Sequence, residues 1–328
     1  MIPEGRTYDV LSMGRSCIDL YAHQIGVPIT SVTSFDAYVG GCPTNVAVGA
    51  SRLGLRTMLL TAVGEDQVGD FVLGFLRQEA IDTQFIPRKP DRRTSAAIVT
   101  IQPPDRFPLT LYRDNCADNA LTIADVERAP VADSRLLFVT GTGLSRETSC
   151  TATTYAVERA RAAGTFVVLD IDRRADQWPD RATLGVAVRR LLRDVDVAIG
   201  TEDEICSAAD VDNPHAAARV LFDAGLRELI VKRGVEGATW LQAGRPRVDV
   251  PPFKVEILNV LGAGDAFAAG FLFGLLAGWS RERSIRMGNA TGAILVTRHG
   301  CANFMPTLAE VDLFVAAHGG WEWAGQST

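Results

Sequence analysis

The sequence predicts an α/β fold in which a parallel sheet is covered by helices on both faces and a small second β-sheet stands beside it. Three observations point there. From about residue 120, apolar strands alternate with helical segments: Leu136–Thr140, Phe166–Asp170, Val195–Gly200 and Leu229–Lys232 each precede a stretch of helical or turn character. These strands are apolar at nearly every position, the pattern of strands buried on both faces. By contrast, the segments near 16–25 and 34–39 alternate polar with apolar residues, as strands with one wet face do.

Taken in order, Tyr8 to Gly14 reads as a first buried strand, followed by the edge strands near 16–25 and 34–39. Gly40-Gly41-Cys42-Pro43-Thr44-Asn45 opens a helix of small residues over Val46–Leu53. Thr57–Val63 is a strand and Gly69–Glu79 a helix. Thr94–Gln102 and Leu109–Arg113 form a hairpin around a proline-rich turn, Pro103 to Pro108. Helices follow near 148–163, 181–193 and Pro214–Ala224, then a meander over Ala238–Val250. Asn259-Val-Leu-Gly262-Ala263-Gly264-Asp265 opens a strongly apolar helix, and the tail from Gly319 reads as frayed.

Composition narrows the function classes. A chain of 328 residues with 47% hydrophobic content can bury one large core or two ordinary ones. A net charge of −6 disfavours a general nucleic-acid surface. The N-terminus has no basic region followed by an apolar run, so no signal peptide is read and the expected location is cytoplasmic. Six cysteines, at 17, 42, 116, 150, 206 and 301, form no C-x-x-C pair and keep apart from the four histidines, which speaks against zinc or a disulfide framework. The apolar run after Asp265 is short for a membrane span, holds several glycines and is followed by Arg281, Glu282, Arg283 and Arg286; a buried core helix is the better reading. Lysine occurs only at 89, 232 and 254, so arginine carries nearly every positive charge and a single Arg says little.

The chemistry concentrates at Gly262-Ala263-Gly264-Asp265. Small residues leave the first N–H groups of a helix open to an anion, and the helix dipole adds to the attraction. Asp265 would repel that anion, a combination that suits phosphoryl transfer: donors for developing charge, and a base beside the attacking hydroxyl. The same residues would also suit a Gly-rich turn with an aspartate in the first helical turn. Placement favours chemistry, because Asp170, Thr201–Glu204, Lys232–Gly237 and Gly262–Asp265 all fall at predicted strand or loop ends where ligands of such sheets sit. The dinucleotide fingerprint Gly-x-Gly-x-x-Gly fails at Phe267 and lies far from the first strand, and no P-loop occurs.

Gly40-Gly41-x-x-x-Asn45 and Gly262-Ala263-Gly264-Asp265, in that order, resemble the two motifs of the ribokinase-like (PfkB) carbohydrate kinases, and the resemblance runs from Gly14 to about Pro306. It implies a ribokinase-like three-layer α/β/α sandwich with a small β-sheet lid, the core built from 1–14, 41–92 and 114–328 and the lid from 15–40 and 93–113. It further implies Asp265 as base, and Gly262, Ala263 and Gly264 as an anion hole for the transferred group. Asp19, Gly40, Gly41 and Asn45 would bind sugar hydroxyls. Thr201, Lys232, Gly234, Gly237 and Asn289 would contact the nucleotide, ATP, and Glu204 would organise Mg²⁺ and phosphates indirectly. Asn259 replaces an acidic residue that usually belongs to a monovalent-cation site, which puts K⁺ activation in doubt. A homodimer through the lid sheet is expected as well.

For the substrate, two arginines stand out, since a guanidinium fork suits a carboxylate. Arg113 lies in Tyr112-Arg113-Asp-Asn-Cys116-Ala-Asp118, and Arg174 in Asp170-Ile-Asp172-Arg-Arg174. Both segments look like those of sugar-acid kinases. Gly14-Arg15-Ser-Cys17-Ile-Asp19-Leu-Tyr21 and Asp172 bring the wording closer to the kinases of 5-dehydro-2-deoxygluconate in inositol catabolism than to those of 2-keto-3-deoxygluconate. Fructose or ribose kinases are the same-class alternatives, and a non-catalytic sugar or nucleotide sensor is the alternative of another class.

Overall fold

A computed structural model describes residues 2–102 and 106–323. The chain enters through β1 (Tyr8–Met13), leaves to form β2 (Cys17–Ala22) and β3 (Phe35–Gly40), and returns through helix α1 (Cys42–Arg52) to β4 (Thr57–Leu60). A short β5 (Val63–Gly64), α2 (Gln67–Gln78) and β6 (Arg88–Lys89) lead to β7 (Ser95–Val99) and β8 (Leu109–Tyr112). Then come α3 (Ile123–Arg128), β9 (Ser134–Thr140), α4 (Ser149–Ala162), β10 (Phe166–Asp170), α5 (Arg181–Leu191) and β11 (Val197–Thr201). Helices α6 (Glu202–Ala209) and α7 (Pro214–Asp223) precede β12 (Glu228–Lys232), β13 (Ala238–Gln242) and β14 (Val248–Val250). The chain ends in α8 (Ala263–Leu276), α9 (Arg281–Val296) and α10 (Leu308–Ala317).

The main sheet has the order β14-β13-β12-β11-β10-β9-β1-β4. It is parallel from β4 to β12 and antiparallel across β13 and β14, where the sequence reads as a meander. Two-residue alternation explains its two dry faces. Leu137 and Val139 of β9, Val167 and Leu169 of β10, and Leu229 and Val231 of β12 join one core with Val157 of α4, Leu184 of α5 and Leu221 of α7. Their neighbours Leu136, Phe138, Phe166, Val168 and Ile230 join the other core with Val46 of α1, Phe271 of α8 and Ile285 of α9. This is the three-layer α/β/α sandwich, and every parallel strand presents its carboxyl end to the same edge.

The second sheet has the order β3-β2-β7-β8, so the two edge segments and the hairpin pair with one another. Pro103, Pro104 and Asp105 of the expected proline-rich turn lie outside the described residues, as does the tail from residue 324. Helix α1 begins at Cys42, earlier than Val46, because Pro43 sits in its first turn, where a missing N–H costs nothing. Helix α8 is buried almost all round and packs on α9, and among the described residues no helix is long and apolar enough to cross a membrane.

Candidate active site

Helices α1 and α8 begin on glycines, and their first turns meet. Gly41 (φ 109°) and Gly262 (φ 81°) both hold left-handed backbone, and neither start has a side-chain cap. At Gly41 a Cβ would stand 2.4 Å from the Arg15 carbonyl oxygen, and at Gly262 it would stand 2.8 Å from Cys301 Sγ. From the first turn of α1, Asn45 Nδ2 donates to Asp265 Oδ2 at 2.6 Å, across 220 residues of sequence. The Asn45 Oδ1 is buried with no partner. Asp265 is itself buried, 7% exposed, at the positive end of α8. Of the three expected anion-hole donors, Ala263 N–H donates to the Val260 carbonyl at 3.2 Å. The N–H groups of Gly262 and Gly264, with that of Asp265, have no backbone acceptor among the described residues.

Asp19, on β2, lies directly on Gly40: a Cβ there would be 1.9 Å from Asp19 Oδ2. Glycine at 40 is therefore what admits the carboxylate. Burial pushes the Asp19 carboxyl above the usual aspartate range, against the pull of Arg15 and Arg174. Its Oδ1 accepts from Cys17 Sγ at 3.0 Å, and Cys17 Sγ in turn accepts from Arg15 Nη1 at 2.8 Å.

A second group gathers at the carboxyl ends of β10, β11 and β12. Lys232 Nζ stands 2.9 Å from Asp170 Oδ2 and 3.8 Å from Glu204 Oε2. Burial would discharge Lys232, but the two carboxylates outweigh it and hold the ammonium charged. A Cβ on Gly264 would stand 3.1 Å from Lys232 Nζ, which places this cation beside the open start of α8. Glu204 also completes a capping box: Thr201 N–H donates to its Oε2 at 2.7 Å, and its own N–H donates to Thr201 Oγ1. Arg173 N–H donates to Oε1. Despite burial, Lys232 and these donors keep Glu204 below its ordinary range, so it is anionic at neutral pH. Gly234 and Gly237 form the tight turn between β12 and β13; a Cβ on Gly237 would lie 2.2 Å from the Val250 oxygen. Asn289, on α9, reaches the same place, donating to the Val250 and Pro251 carbonyls at 3.2 and 2.8 Å.

The two substrate arginines part company. Arg174 Nε lies 3.2 Å from Asp172 Oδ1, near Asp265 and Glu204. Arg113 does not face the cleft with a free fork. It is 3% exposed, donates through Nε to Asp118 Oδ2 at 2.7 Å, and through Nη1 to Thr142 O and Ser145 Oγ at 3.0 and 3.2 Å. The fork that the sequence reading offers to a substrate carboxylate is occupied here by Asp118, five residues on. Sequence reasoning passed over Arg15, Cys17, Cys42 and Asp172 as site residues. Cys42 lies against Asp265, where burial pushes its thiol well up. Asp172 sits at φ 34°, accepts from Thr142 Oγ1 at 3.1 Å and is held above the aspartate range by burial.

Paired helix starts that hold an aspartate beside open donors, at the carboxyl edge of a doubly covered sheet, define a phosphotransferase of sugars. The chain belongs to the pfkB family carbohydrate kinases, whose family model matches residues 8–308. It is similar to the 5-dehydro-2-deoxygluconokinase of Shouchella clausii (strain KSM-K16), at 33% identity over 317 residues, covering 95% of this chain and 97% of that one. The enzyme of the same name from Geobacillus kaustophilus (strain HTA426) is 33% identical over 316 residues, 94% of each chain. Among solved structures, a protein described as a ribokinase II of E. coli, in complex with ATP and Mg²⁺, superposes with a TM-score of 0.86 at 25% identity, covering 95% of this chain and all (100%) of that one. A PfkB protein of Polaromonas sp. JS666 gives 0.81 at 26% identity, covering 94% and 99%.

Proposed function

We propose that this kinase transfers the γ-phosphoryl group of ATP to the terminal hydroxyl of 5-dehydro-2-deoxygluconate. One observation carries the catalytic part: Asp265 is buried, oriented by Asn45 at 2.6 Å, and set beside free N–H groups at the positive end of α8. Asp265 accepts the hydroxyl proton as the oxygen attacks. The N–H groups of Gly264 and Asp265, with Lys232, meet the charge that develops on the transferred group. Asp19, Gly40, Gly41 and Asn45 form the sugar side, where the partnerless Asn45 Oδ1 is an acceptor for a substrate hydroxyl. Thr201, Gly234, Gly237 and Asn289 line the nucleotide side. The four-stranded sheet closes over the sugar as a lid (segments 15–40 and 93–113 against the core) and excludes water.

No group of three or more His, Cys, Asp or Glu side chains among the described residues is arranged to hold a metal ion. Mg²⁺ binds mainly through substrate phosphates and a carboxylate or two. Glu204, anionic and next to Lys232, is the residue that would steady it through water. Mg²⁺ would supply charge neutralisation between the phosphates.

The acid specificity rests on Arg174 and on the kinship with the two named gluconate-derivative kinases. The test is ADP release with 5-dehydro-2-deoxygluconate, 2-keto-3-deoxygluconate, fructose and ribose at equal concentration. The first is expected to give the highest kcat/KM. Faster turnover of 2-keto-3-deoxygluconate or a neutral sugar would replace this substrate, and silence with all four would replace the kinase reading by a sensor.

A further inference from the structure

Arg15 is 5% exposed, and among the described residues no carboxylate oxygen stands within 4.0 Å of its nitrogens. Its Nη1 points to the neutral thiol of Cys17 at 2.8 Å, and its Nε has no partner. The other arginines of this region have a carboxylate within ion-pair reach, Arg113 that of Asp118 at 2.6 Å and Arg174 that of Asp172 at 3.2 Å, although Arg174 Nε, like Arg15 Nε, makes no hydrogen bond among the described residues. Burial works against the charge of the Arg15 guanidinium, and Asp19 and Asp172 help keep it, but neither touches it, so a donor out of water is left without an acceptor. Its own loop supplies none. Thr44 Oγ1 and Gly41 pack on the Arg15 carbonyl, and Asp19 is reached only through the Cys17 sulfur. The backbone of Arg15 is thus anchored at the start of α1, and its Nη1 reaches the sugar-side aspartate through Cys17 Sγ. Both Asp19 and Asp172 feel the charges of Arg15 and Arg174, and Arg174 Nε stands 3.2 Å from Asp172 Oδ1.

We propose that Arg15 is a substrate-binding residue that, with Arg174, takes the carboxylate of the sugar acid, the role the sequence assigns to Arg113. This rests on the sugar-acid reading above and adds to it the residue that selects acid over neutral sugar. Arg113 instead fastens the end of β8 to the loop after β9. The carboxylate supplies the acceptor that Arg15 Nε lacks.

The experiment compares wild type, Arg15→Ala and Arg15→Lys on 5-dehydro-2-deoxygluconate and on its neutral analogue with CH2OH in place of the carboxylate. Loss of a charge-assisted fork is expected to lower kcat/KM for the acid by about 10- to 100-fold, chiefly through KM. The neutral analogue should lose far less, and Lys should recover part of the acid preference. Equal losses on both substrates would make Arg15 a mere support of Asp19 and overturn the proposal, as would an unchanged acid preference in either variant. Should the variants not fold, a crystal structure of wild type with the acid decides it. A carboxylate on Arg15 nitrogens supports the assignment, and one on Arg113 or elsewhere overturns it. Wild-type silence toward the acid removes the sugar-acid reading and this inference together, whereas full acid turnover by Arg15→Ala removes the inference alone.

Discussion

Among the described residues, seven helices begin closed, and the two at the cleft begin open. Asp66, Thr122, Asp180, Thr201, Asn213, Ser280 and Thr307 each place a side-chain oxygen on the first-turn N–H groups of α2, α3, α5, α6, α7, α9 and α10. Helices α1 and α8 start instead on Gly41 and Gly262, which offer no side-chain oxygen. (Helix α4, on Thr148, is a third start without a side-chain cap, with backbone bonds like those of α8: Cys150 N–H donates to the Arg146 carbonyl as Ala263 N–H does to that of Val260.) A start on glycine in place of a capping side chain forgoes only a few tenths of a kcal/mol of stability. Here the forgone caps fall at the two starts that face each other through Asn45 and Asp265. The contrast teaches where an anion can bind: a closed start has spent its donors on the protein, and an open one keeps them for a ligand.

The comparison breaks first at Asp265. Asp265→Asn keeps the shape and the contact with Asn45 but removes the proton acceptor. It is expected to lower kcat by roughly 100- to 10,000-fold while sugar affinity, read by calorimetry, stays within a fewfold. Near-normal turnover would take the base assignment away. Gly262→Ala attacks the open start itself. Left-handed backbone costs a residue with a Cβ about 1–2 kcal/mol, and that Cβ would also overlap Cys301 Sγ at 2.8 Å. The start of α8 must shift, so kcat is expected to fall roughly 10- to 100-fold with a lower melting temperature. A variant that melts lower but turns over normally would show that the donors of α8 are not used.

Much of this was legible in the sequence for one physical reason: strands buried on both faces and glycines at helix starts leave strong local signatures. The four parallel strands from Leu136 to Lys232 could be read from polarity, whereas the joining of the edge strands and the hairpin into one small sheet came only with the family resemblance. Helices α3, α9 and α10 were missed, although Thr122-x-x-Asp125 and Thr307-x-x-Glu310 are capping boxes that signal the starts of α3 and α10. The arginines were the hardest to read. Nothing local distinguishes Arg113, neutralised by Asp118, from Arg15, buried beside a thiol, because the deciding neighbours come together only in the fold. In a chain that uses arginine for almost every cation, residue type carries little of that information.

The smallest expected effect belongs to a closed start far from the chemistry. In α10, Glu310 accepts from Thr307 N–H at 2.7 Å and from Thr307 Oγ1 at 2.9 Å. Burial works against its charge, but Thr307 and Arg298 outweigh it and hold Glu310 below the ordinary glutamate range. The sign follows: a depressed folded-state pKa gives stability that is present above the unfolded value near 4.3 and is lost as pH falls through the folded one. Glu310→Gln should therefore melt about 1 °C lower than wild type at pH 7, since solvent screening at this half-exposed site limits the contribution to about 0.5 kcal/mol. The gap should close below pH about 4, where wild type protonates too, and kcat at pH 7 should not move. A change in kcat would mean that α10 speaks to the cleft, and the division between closed, structural starts and open, functional ones would have to be redrawn to include it.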